Sequence, residues 1–163
     1  MSVQTEQQSP MPSRHSVRNT IEGLVGRDVD LSDGVAPPAK STNVVAVYVT
    51  DQLKTSALAV IDLECAARIG GALGMIPKGV VDEEIKARNL PKDLEENCYE
   101  VLNVMASIFN VPNAPHVRLY EMYAPNSVIP ADVAQLAATV GNRMDVKLKV
   151  AGYGDGSLSI VIK

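Results

Sequence analysis

One stretch constrains the fold more than any other: residues 93–110, DLEENCYEVLNVMASIFN. Its apolar side chains are Leu94, Cys98, Val101, Leu102, Met105, Ile108 and Phe109. They recur at steps of three and four, with adjacent pairs, which predicts one apolar face of a helix at 3.6 residues per turn. The opposite face carries Glu96, Glu100, Asn103 and Ser107 at steps of four, three and four. Residues three or four apart are neighbours on a helix surface, so these four form a continuous polar stripe. A chain holding this segment must supply an apolar surface for one side of it and leave the other side open.

The remaining sequence predicts that surface. Residues 43–50 and 56–61 read as two strands, because Val44, Val45, Val47, Tyr48 and Val49 suit a pleated sheet and DQLKT between them is short enough for a hairpin. Near the C-terminus, Val146, Leu148 and Val150 alternate with lysines, and Leu158, Ile160 and Ile162 alternate with Ser157, Ser159 and Lys163. That is a second hairpin, with its turn expected in residues 152–156, where Asp-Gly favours positive backbone angles. Further strands are expected at 28–31 and 116–123.

Helices fill the intervals. Ser16 resembles an N-cap for a helix that carries Val17, Ile21, Leu24 and Val25 and stops at Gly26. Asp62 caps a helix with Cys65, Ile69, Ala72 and Leu73 inward, and Gly74 is placed to end it in the left-handed conformation. Gly70 and Gly71 inside that helix each cost about 1 kcal/mol relative to alanine, which points to close approach of a neighbouring element. Residues 76–91 form a connector with a short helical turn at 81–87, whose Asp82, Glu83 and Glu84 read as a solvated first turn. Pro130 opens a last helix at its first position, with Val133, Leu136, Ala137 and Val140 inward and Gly141 at its end. Segregated strand pairs and helix pairs predict an α+β domain over residues 16–163, its helices packed against a largely antiparallel sheet. Residues 1–15, rich in Gln, Ser and Pro, are expected to be a disordered tail.

Composition removes several functions. A formal net charge of -4 lacks the basic footprint that a phosphate backbone requires, so nucleic acid is not expected as a partner. No apolar run nears the roughly 20 residues that span a bilayer, and the polar N-terminus has no signal-peptide core, which predicts a cytoplasmic protein without membrane contact. Cys65 and Cys98 lie in helical patterns without metal-ligand spacing and read as small buried hydrophobes. His15 and His116 are the only histidines, and His116 has no carboxylate or serine beside it in sequence, so neither a metal site nor a histidine triad is expected.

Glu100-Val101-Leu102-Asn103 is the only Glu-x-x-Asn in the chain, and Pro125 follows Asn103 by just over twenty residues. With the order of elements and the Leu73-Gly74 helix end, these residues resemble the CheC/CheX/FliY group of chemotaxis phosphatases, most closely its single-site CheX-type members. The likeness covers most of residues 16–163. It departs from the pattern at Glu96, where Ser or Asp is frequent. It departs again at Val104-Met105-Ala106-Ser107, which lacks the usual glycine, and at the bulkier Ile108-Phe109.

The resemblance implies a CheC-like fold and a phospho-aspartate phosphatase acting on the receiver domain of a CheY-like response regulator. Asn103 would position the water and Glu100 would anchor the regulator, with Glu96 and Ser107 as accessory binding contacts. It implies no cofactor on this chain, since Mg2+ would be held by the receiver domain. The alternative expectation is a catalytically inactive domain of the same fold, an interaction or homodimerisation module that uses the acidic helix face or a sheet edge.

Overall fold

The computed structural model describes residues 8–163, and residues 1–7 of the expected tail lie outside the described residues. The segment just beyond them already packs: Ser9 is buried with its Oγ 2.6 Å from Ser56 Oγ, and Met11 lies against the core. Helix α1 (Arg14–Val25) begins before the expected cap. Ser13, not Ser16, occupies that position, and its Oγ accepts from Ser16 N at 3.1 Å. Gly26 ends the helix at φ 68, as its sequence position predicts.

Six strands form one antiparallel sheet: β1 (Val29–Asp33), β2 (Val44–Thr50), β3 (Thr55–Ile61), β4 (Val117–Tyr123), β5 (Arg143–Val150) and β6 (Gly154–Ile162). Their spatial order is β1-β5-β6-β3-β2-β4, so both expected hairpins exist and β1 and β4 are the edges. One face presents Val44, Ala46, Tyr48, Ala57, Ala59, Ile61, Leu158 and Ile160. Against it lie α1, α2 (Leu63–Leu73), α3 (Lys78–Lys86) and α4 (Lys92–Val104), which together enclose the main core. The α+β architecture read from the sequence is the one observed.

The other face differs from a solvated surface. Val45, Val47, Val49, Leu58, Val60 and Val161 are buried there in a smaller cluster that includes Val133 of α5 (Ala131–Ala137). Helix α5 is shorter than expected: Pro130 is its N-cap, and Val140 is 94% exposed instead of facing inward. The reason lies in Arg143, which donates to the carbonyls of Ala137 (2.9 Å) and Thr139 (2.7 Å). It satisfies the orphan acceptors of the helix end and turns the chain outward before Val140.

Arg143 also grips Asp145 at 2.9 Å, and Ser159 donates to the same carboxylate at 2.5 Å. Burial pushes the Asp145 carboxyl upward, but the Arg143 and Ser159 hydrogen bonds and the Arg143 charge outweigh it and hold the group below its ordinary value. A carboxyl depressed on folding adds stability above its unfolded pKa and loses it as pH falls through the folded one. Asp145→Asn is therefore expected to flatten the acid limb of stability against pH below the ordinary carboxylate range. Urea midpoints of both proteins across that range provide the check.

Glycines mark the places where tertiary contact sets the local structure. A Cβ on Gly70 would sit 2.5 Å from the Leu94 carbonyl oxygen, and one on Gly71 would sit 2.5 Å from Val81 Cγ2. The expected close approach is therefore real, and Asn97 Nδ2 seals it by donating to the Gly70 carbonyl at 3.1 Å. Gly70→Ala pushes against backbone, which cannot yield unless α2 and α4 separate. Overpacking of this kind costs about 1–3 kcal/mol, measurable as a lowered melting temperature.

Gly74 is not left-handed: its φ is -84, and Met75 takes the positive angle at φ 53. Gly74 is needed for room, since its Cβ would meet Asn97 Nδ2 at 2.5 Å. The C-terminal turn is shifted likewise. Gly152 at φ 81 makes it, while Asp155 and Gly156 pair within β6 with Lys149 and Leu148. Gly156 serves packing, its Cβ position lying 2.5 Å from Cys65 N of α2.

Candidate functional site

The expected long helix is two segments: α4 runs to Val104, and a single 3-10 segment continues from Met105 to Phe109. Leu94, Cys98, Val101, Leu102, Met105, Ile108 and Phe109 are all buried, so the apolar face is as read. At the junction the Tyr48 hydroxyl donates to the Leu102 carbonyl at 2.6 Å, and the Tyr48 ring meets Phe109 with centroids 5.2 Å apart. This hydroxyl comes up from the sheet to the carbonyl of Leu102 in the last turn of α4, just before the α geometry gives way. The backbone tightens from that point.

Glu96, Glu100, Asn103 and Ser107 are all exposed. Glu100 and Asn103 lie within α4, one turn apart, and among the described residues neither makes a side-chain hydrogen bond or ion pair. They project side by side from a rod fixed by four buried side chains below: Leu94, Cys98, Val101 and Leu102. Glu96, one turn earlier, has Lys92 Nζ at 3.9 Å, both side chains being largely in water. Ser107 lies in the 3-10 segment. Three steps of about 120° in place of about 100° rotate it by roughly 60° from the line of the stripe. The structure therefore brings Glu96, Glu100 and Asn103 into one row and sets Ser107 beside it.

Sequence reasoning did not place β4 next to this row. Glu95, Glu96 and Tyr99 of α4 and Tyr120, Glu121 and Met122 of β4 line a notch of about 410 Å³. Tyr120 projects there because β4 bulges: Val47 pairs with Glu121 and Tyr48 with Leu119, which leaves Tyr120 as the extra residue. No sequence signal links Tyr99 to Tyr120, since the contact depends on a bulge set by sheet register.

Other candidates give no rival chemistry. Burial pushes the Cys98 thiol up to about 12 and Cys65 well above its ordinary value, so neither is a ready thiolate. His116 Nδ1 lies 3.5 Å from Asp51 in the β2–β3 turn, a pair open to solvent on both sides. Among the described residues no group of three or more His, Cys, Asp or Glu is placed to hold a metal ion. No described helix is long and apolar enough to cross a membrane. A cleft lined by Asp33, Asp62, Glu64, Arg68, Lys147 and Asp155 has most of its charges already paired: Lys147 with Asp155 at 2.9 Å, Asp33 with the nearby Arg14 at 2.5 Å, and Glu64 with Arg88.

No protein-family model matches the chain, and no curated protein matches it in sequence. Solved structures do match in three dimensions. The chemotaxis protein CheX from Vibrio vulnificus is similar over 100% of both chains, at TM-score 0.55 and 13% identity. Thermotoga maritima FliY matches at TM-score 0.56 and 15% identity, covering 91% of this chain and 82% of that one. In a complex of FliM with SpeE from H. pylori, the match has TM-score 0.61 and 10% identity over 91% and 80% of the two chains. At such identities the likeness speaks for the backbone alone. The chain has the fold shared by CheX, CheC-like proteins, FliY and the FliM middle domain.

Proposed function

We propose that the protein is a phospho-aspartate phosphatase acting on the receiver domain of a CheY-like response regulator. The observation that carries this reading is the Glu100–Asn103 pair. Both side chains are exposed and, among the described residues, without a hydrogen-bond or ion-pair partner, one turn apart on a helix whose far side is fully buried. A structure of this fold from Borrelia burgdorferi is a complex of CheX with CheY, BeF3 and Mg2+, similar at TM-score 0.52 and 10% identity. It supports a receiver domain as the partner.

The chemistry asks little of the phosphatase beyond placement. The receiver holds its phosphoryl group on an aspartate, with Mg2+ bound in its own acidic pocket. Hydrolysis needs a water in line with the phosphorus–oxygen bond that breaks, and the products are the free aspartate carboxylate and inorganic phosphate. A carboxamide can orient that water. Asn103 Oδ1 accepts a hydrogen bond from it while Nδ2 donates to a phosphoryl oxygen. Glu100 pairs with a lysine of the receiver and fixes the helix over the pocket, and Glu96 adds a contact at the near end. Ser107, rotated off the row, meets the receiver only at the margin.

The test is the decay of a phosphorylated receiver domain from the same organism, with and without the protein. Acceleration at substoichiometric protein supports turnover; unchanged decay with every receiver tried overturns it. A second reading, an interaction or dimerisation module without turnover, is favoured by the similar FliM domains solved with SpeE and with FliG. It predicts a stable complex or homodimer that Asn103→Ala leaves intact, together with unaccelerated decay.

A further inference from the structure

We infer that the notch between α4 and the edge strand β4 receives a basic side chain, lysine or arginine, from the protein partner that α4 engages. This rests on the reading of α4 as a partner-facing helix, and it names a specificity contact outside the Glu100–Asn103 pair. Two tyrosines wall the notch from neighbouring elements, Tyr99 of α4 at 42% and Tyr120 of β4 at 55% exposure. Glu95, Glu96 and Glu121 edge it, and no lysine or arginine lines it. Among the described residues Glu95 and Glu121 form no ion pair, and Lys92 reaches Glu96 only at 3.9 Å, with both side chains largely in water.

Aromatic faces attract a cation through their quadrupole, and carboxylates at the rim neutralise it. A guanidinium or ammonium on an aliphatic stem matches both requirements. An acidic or purely apolar partner group matches only one. The volume of about 410 Å³ admits one long side chain. The notch is also continuous with the catalytic row, because Glu96 belongs to both and Tyr99 directly precedes Glu100. A partner seated on Glu100 and Asn103 therefore passes over it.

Two measurements test this. In the first, the peptide Gly-Gly-Arg-Gly-Gly is titrated into the 15N-labelled protein, with norleucine and glutamate in place of arginine as controls. Saturable shifts confined to Tyr99, Tyr120, Glu121 and their neighbours are expected for arginine alone, and they should vanish in Tyr120→Ala and in Glu121→Lys. Shifts that are unsaturable, spread over the surface, or equal in Glu121→Lys overturn the proposal. This arm contains no receiver domain, so it stands whether or not the phosphatase reading does.

In the second, Glu121→Lys is assayed on the phosphorylated receiver at increasing concentration. A KM raised tenfold or more with kcat kept is the expected split, since Glu121 touches no reacting atom. A fallen kcat with unchanged KM overturns the docking role. If the wild-type protein does not accelerate decay at all, the phosphatase reading fails while the peptide arm still decides the notch.

Discussion

Asn103→Ala is expected to return the decay of a phosphorylated receiver domain to its unassisted rate, a loss of about 100-fold or more given what misplacing a reacting group costs. The folded protein should be nearly unaffected. Asn103 is exposed, makes no side-chain hydrogen bond among the described residues, and has poorer helix propensity than alanine. Its removal should therefore leave stability within about 0.5 kcal/mol of wild type. Glu100→Ala acts differently. Losing the anchor raises the receiver concentration needed for half-maximal rate, and Glu100→Gln restores part of it by keeping a hydrogen-bonding tip. Receiver-decay assays run beside thermal melts separate these outcomes from unfolding. An Asn103→Ala protein that still accelerates decay would mean that the water is placed by some other group.

The largest effect on stability is expected at Phe109, the only phenylalanine in the chain. Its side chain is fully buried, and its ring packs against Tyr48 at an interplanar angle of 53°. Phe109→Ala removes a large buried volume and should cost about 3–5 kcal/mol. It also removes the support of the Tyr48 ring, whose hydroxyl holds the Leu102 carbonyl. The damage reaches the end of α4 next to Asn103, so activity should fall even at temperatures where the protein remains folded. Phe109→Leu, which keeps most of the volume, is expected to recover most of both. Urea unfolding with the decay assay on the same samples tests the coupling; full activity in a folded Phe109→Ala protein would show that the helix end does not depend on it.

How far the sequence announced this arrangement depended on the range of the forces involved. The apolar face of α4, the Asp62 cap and the two hairpins were readable because their periods and caps are local, and Asp62 Oδ1 does accept from Cys65 N at 2.8 Å. The ends of elements were not. Ser16, Gly74, Asp155-Gly156 and Val140 were assigned by local preference, yet each was displaced: Ser16 by Ser13 one turn earlier, the others by side-chain or backbone contacts that no single position announces. Gly74 yields to Asn97, Gly156 to the backbone of Cys65, and Val140 to the grip of Arg143 on the end of α5. The Glu100–Asn103 row was legible as a helical spacing. Its neighbour across the notch was not, because the bulge that turns Tyr120 outward exists only once β4 has paired with β2. The change from α to 3-10 geometry at Met105 was hidden for the same reason, since it coincides with a hydroxyl from a different strand.

The covering of the second sheet face bears on how the molecule breathes. Strands β2 and β3 are buried on both sides, but on one side the cover is α5, seven residues long with Val133 as its one buried side chain. Little apolar area resists its detachment, and the Arg143 hydrogen bonds lie at one end of the helix. Opening of that flap is therefore a local event, cheaper than loss of the main core. In native-state hydrogen exchange, amides of α5 should trade their protons long before those of the central strands. The Glu100–Asn103 row, on the opposite side of the sheet, keeps its geometry through such openings.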